Sequence, residues 1–96
     1  MGRPYTPIEL DKTRNLRYGM KAFAAVEDRL GKPLGKIDLS AITYNDLAVF
    51  LWAGLRHEDP EITPEKVMDL IDEHSTVVRA AEAFTKAITE SVGKNA

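Results

Sequence analysis

"TYNDLAVFLWAGLRHEDPEITPE", Thr43 to Glu65, decides how this chain can fold. Thr43 offers a hydroxyl N-cap and Asp46 puts negative charge into the first turn. Leu47, Phe50, Leu51, Gly54 and Leu55 then line one helical face. The opposite side is not polar, because Val49, Trp52 and Ala53 sit there. A helix that is apolar nearly all round has to be covered on two sides, so a helix from Thr43 to about His57 is predicted to be central. Pro60 disfavours helical geometry at Asp59 and breaks the chain. Thr63 then caps a new helix, Pro64 takes the first helical position where its missing N–H costs nothing, and Glu65 complements the dipole.

Working outward, "GMKAFAAVEDRLG" (Gly19 to Gly31) carries Phe23, Val26 and Leu30 at helical spacing, with Gly31 where a left-handed terminal residue is favoured. Before it, Ile8 and Leu10, then Leu16 and Tyr18, alternate with polar neighbours around "DKTRN", as in a short hairpin. Thr13 could instead cap a helix running through Leu16, Met20 and Phe23, and the two readings compete. "KPLGKIDLSAI" is too broken by Pro33 and Gly35 for a helix. Leu34, Ile37, Leu39 and Ile42 nonetheless give it side chains that pin it to the domain.

After Thr63 the inner face is predicted to be Val67, Leu70, Ile71 and His74. Ser75 is expected to cap a last helix with Val77, Ala81, Phe84, Ile88 and Val92 inward, and Arg79, Glu82, Lys86 and Glu90 outward. Gly93 would close it, with Lys94 at its negative end. The expected fold is mainly α: a small bundle of about four helices, with the hairpin reading open at the N-terminus. One helical domain spans 8–92, between flexible ends at 1–7 and 93–96. Its core comprises Phe23, Val26, Leu30, Leu47, Phe50, Leu51, Leu55, Val67, Leu70, Ile71, Val77, Phe84 and Ile88.

The 96 residues suffice for one small domain, and 44% hydrophobic with 29% charged content is that of a folded protein. With no cysteine, disulfide and thiolate metal sites are excluded. No apolar run approaches the roughly 18 residues that span a bilayer, and the start has no secretory apolar core, so a cytoplasmic protein is expected. The net charge of −2 hides two poles. Residues 1–36 hold eight Lys/Arg against four acids, while Glu58 to His74 holds seven acids against Lys66. Without a nucleic-acid module, the basic pole predicts a solvated face or a protein contact rather than nucleic-acid binding.

His57, Glu58 and Asp59 raise the question of a metal or acid/base site. Adjacent residues diverge, whereas ligands on a helix need spacing of three or four. Both His57 and His74 are predicted to cover helix-end carbonyls, and Glu27 and Asp28 to be solvated. No phosphate loop, paired nucleophile or metal motif is present, so no catalytic, cofactor or metal residues are expected and the chain does not read as an enzyme. Val49 and Trp52 either lie under another helix or, with Arg56, form a partner contact.

These residues resemble the small tail assembly chaperones of long-tailed bacteriophages and prophages. The likeness lies in "KAFAAVEDRLGK", at Phe23, Glu27, Leu30 and Gly31. It continues in the central stretch at Leu51, Trp52, Gly54, Leu55, His57 and Pro60 to Thr63, and over roughly 8–92 in all. Met1 to Pro7 match nothing in the family pattern. The resemblance implies a non-enzymatic protein of the bacterial cytoplasm. It would bind the tape-measure protein and help recruit tail-tube subunits, with self-association also allowed. It further directs attention to "VGK", Val92 to Lys94, whose codons could allow a ribosomal slip into a longer product. The alternative is a small helical adaptor or subunit that binds a folded protein without a chaperone cycle.

Overall fold

The computed structural model describes residues 5–92, with side chains described through residue 90. Two short strands, β1 (Thr6–Glu9) and β2 (Thr13–Leu16), form an antiparallel hairpin, and four helices follow: α1 (Met20–Leu30), α2 (Tyr44–Leu55), α3 (Pro64–His74) and α4 (Val77–Val92). The chain is therefore mainly helical with an N-terminal hairpin. The hairpin reading of the first residues holds and the helix from Thr13 does not. Strand β1 begins at Thr6, inside the segment expected to be flexible. Gly93 and Lys94, with the expected cap and slip site, lie outside the described residues, as do the ends 1–4 and 95–96.

Pro7 determines how the hairpin is wired. It stands opposite Asn15 and has no N–H, so this pair cannot exchange two backbone hydrogen bonds. The backbone groups of Asn15 consequently face away from β1. Thr6, Ile8, Arg14 and Leu16 turn inward on the buried face.

Helix α2 is the centre, as its all-round apolarity requires. It packs against α1, α3, α4 and β2, and eight of its residues are buried, Val49 and Ala53 among them. Thr43 accepts from the Asp46 N–H at 3.1 Å, and Thr63 accepts from the Lys66 N–H at 3.1 Å, so both expected caps form. Gly31 ends α1 at φ 72°, where a side chain would be strained. Two single 3-10 turns, Leu34–Lys36 and Leu39–Ala41, carry the connection to α2. It is pinned by buried Ile37 and half-buried Leu34 and Ile42, while Leu39 is exposed.

Nine of the expected core residues are buried, and Phe23, Leu30 and Ile88 are half-buried against them. Val77 is 39% exposed. Helix α4 is rotated from the expected stripe, so that Ala80, Phe84 and Ala87 face inward. The small alanines let α4 approach the sheet and α2 closely, whereas the larger Val77 and Ile88 flank that seam. Thr76, not Ser75, caps α4 by accepting from the Arg79 N–H, and Ser75 instead ends α3. Residues absent from the expected core complete it: Ile8, Leu16, Tyr18 and Ile62. Tyr18 stacks on Phe23 at 5.6 Å and meets Phe84 edge-on at 6.3 Å. Phe84 also lies 5.1 Å from Phe50.

Candidate functional site

His57, Glu58 and Asp59 all turn toward the hairpin. The His57 Nε2 lies 2.7 Å from the Asn15 carbonyl oxygen. A carbonyl can only accept, so this nitrogen carries the proton. Glu58 accepts from the Asn15 backbone N–H at 3.1 Å and from its side-chain amide at 3.0 Å. The outward backbone groups that Pro7 leaves on β2 are thus both satisfied by consecutive residues after α2. Asp59 stands 3.6 Å from the Arg14 guanidinium, which also makes a two-pronged contact with Asp11 at 2.9 and 3.0 Å. One further bond, from the Arg17 N–H to the Gly54 carbonyl at 3.0 Å, continues the seam onto α2.

The expectation that His57 covers helix-end carbonyls is corrected by this geometry. Leu55 O already accepts from the Glu58 and Asp59 N–H groups, which frees the imidazole to reach β2. Its ring also lies 5.4 Å from that of Tyr5, over which Arg17 sits. The arrangement orients strands rather than converging on a reacting atom. Electrostatics follow the contacts. The Arg14 hydrogen bond pulls the Asp11 carboxyl down from 3.8 to about 2, and Asp11 in turn raises the Arg14 guanidinium. Partial burial pushes Glu58 up, but the Asn15 donors, with His57 and Arg14 nearby, outweigh it and leave the carboxyl below its ordinary value.

The partner-contact trio divides. Val49 is 7% exposed in the core, so of the three only Trp52 and Arg56 reach the surface. Trp52 is half-buried, and its indole N–H donates to the Ile62 carbonyl at 2.9 Å. The Arg56 and Arg29 guanidiniums stand over its ring at 4.9 and 5.5 Å. A ring covered in this way joins the core to a cationic surface.

Three other expectations change. His74 is exposed beside Glu73 at 3.8 Å instead of facing inward, because α3 turns Val67, Leu70 and Ile71 to α2. Glu27 is not simply solvated: it accepts from the Leu34 N–H at 2.7 Å and so ties α1 to the loop that follows. Glu90, expected to point outward, accepts from the buried Thr6 hydroxyl at 2.7 Å and fastens α4 to β1. Among the described residues no group of three or more His, Cys, Asp or Glu side chains is placed to hold a metal ion. None of their helices is long and apolar enough to cross a membrane. Comparison with protein families, curated proteins and solved structures yields no match.

Proposed function

We propose that this protein is a non-enzymatic tail assembly chaperone of a long-tailed bacteriophage or prophage. It acts in the bacterial cytoplasm, binding the tape-measure protein and helping to bring tail-tube subunits to it. The observation that carries the reading is where the resembling residues fall. Phe23, Glu27 and Gly31 shape α1 and its exit, while Leu55 closes α2 and Gly54 and His57 join its end to β2 and the residue after it. The likeness therefore concerns a packing unit and not a reacting group, which suits a protein whose work is contact.

Exposed apolar side chains support the same reading. Met20, Tyr44 and Val78 are 84%, 75% and 67% exposed, and Tyr44 and Val77 border an apolar cleft between α2 and α3. Side chains of this kind at groove edges suit protein contacts. The test is co-expression with the longest open reading frame downstream of the gene. A tape-measure protein that moves from the insoluble to the soluble fraction, and co-purifies with this chain, supports the proposal. No change in its solubility, or a downstream gene of another kind, overturns it.

A further inference from the structure

We infer that the groove between α1 and the end of α2 docks an acidic segment of a partner protein, its carboxylates set against Arg17, Lys21 and Arg56. The inference rests on the protein-binding reading above and names the chemistry of the contact. The groove is open and holds about 780 Å³. Its cations are Arg17 after β2, Lys21 in the first turn of α1 and Arg56 just past α2, and folding brings the first two to the third. Among the described residues none of the three makes a salt bridge, so their charges are not neutralised by a neighbouring carboxylate; Arg14, in β2, is paired with Asp11 and Asp59. The groove lining contains one carboxylate, Asp28. Helix α1 begins without a side-chain cap or an acidic residue in its first turn, so the partial positive charge of its N-terminus is left uncompensated.

The walls restrict what can enter. Ala22 and Ala24 line the groove on the α1 side, beside the buried Ala25 and Ala53, and methyl groups allow a backbone to approach closely. Met20, with its flexible thioether, stands at the lip. Cations around an alanine-lined trough match a peptide that carries carboxylates on one side and small side chains on the other. A nucleic-acid strand is a poorer match, because the chain's net charge is −2 and the stretch from Glu58 to His74 is strongly acidic.

The chain's single tryptophan supplies the readout, since Arg56 both lines the groove and stands over the Trp52 ring. The probe is a fluorescein-labelled helical peptide of repeating Glu and Ala, titrated by anisotropy, with its unlabelled form followed by Trp52 emission. Saturable, salt-sensitive binding that changes Trp52 emission is expected. Lys21→Glu should weaken it about tenfold or more, a loss of about 1.4 kcal/mol per factor of ten. An acid at that position favours the helix dipole, so loss of binding there is not loss of fold. Lys66→Glu makes the same charge change on α3 and should leave the affinity within about twofold of the parent. Absence of binding, equal weakening by Lys66→Glu, or tighter binding of a single-stranded oligonucleotide would overturn the inference. Peptide binding without tape-measure solubilisation would remove the proposed function and leave the groove, and the converse would remove the groove alone.

Discussion

A Cβ on Gly54 would stand 2.8 Å from Cζ and 2.9 Å from the hydroxyl oxygen of Tyr18, closer than real side-chain carbons approach. The same hydroxyl donates to the Phe50 carbonyl at 2.6 Å, one turn earlier on α2. Tyr18 is thus laid flat against a notch that only glycine leaves open, and its burial pushes the phenol well above its usual value. Gly54→Ala should destabilise the fold by about 1–3 kcal/mol through overpacking. Tyr18→Phe should cost about 1 kcal/mol for the lost hydrogen bond. Because removing the hydroxyl also relieves part of the crowding, the double variant should lose less than the two single losses added together. Urea unfolding of the four proteins measures this, and strict additivity would show that the two residues are not in contact.

Helix α4 separates two residues that the sequence placed together. Phe84→Ala should cost about 3–5 kcal/mol, since the ring lies between Phe50 and Tyr18. Val77→Ala, at a position 39% exposed, should cost no more than about 1 kcal/mol. Equal losses in thermal unfolding would place α4 in the unrotated orientation.

The seam from Asn15 to His57 and Glu58 should be visible in amide exchange. Glu58→Ala removes the acceptor for the Asn15 N–H, which should then exchange faster while the Phe50 amide in α2 stays protected. The global cost should be about 1 kcal/mol, because the site is exposed. His57→Ala should loosen the same strand without any loss of bound metal, and equimolar zinc released by that change would contradict the structural role.

Acid should release the hairpin before the core. Asp11 has a folded-state value of about 2 against an ordinary 3.8, and Glu58 is lowered as well. A lowered folded-state value means that the unfolded chain binds more protons in the intervening range. The stabilisation is therefore complete above about pH 4 and is lost as pH falls toward 2. Melting temperature followed from pH 5 to pH 2 should fall less steeply in Asp11→Asn than in the parent. An unchanged slope would show that the Arg14 pairing does not contribute.

Helix positions, and the starts and stops other than the cap of α4, were legible in the sequence because they depend on neighbours three or four residues apart. Thr43 and Thr63 cap the N–H groups three residues on, Gly31 supplies a left-handed exit, and the apolar circumference of α2 requires a central place. Tertiary structure alone chose hairpin over helix for Thr13 to Leu16, since the spare backbone groups of Asn15 are satisfied by side chains 42 and 43 positions away. It also set the rotation of α4, which turns on how closely alanines approach β1 and α2, and it brought Asp59 to within 3.6 Å of the buried Arg14. The groove follows the same rule: Arg17 and Lys21 are remote from Arg56 along the chain, and no local pattern records their meeting. Capping and periodicity are short-range and survive in a linear reading, whereas pairing across a seam exists only once α2 has been covered from both sides.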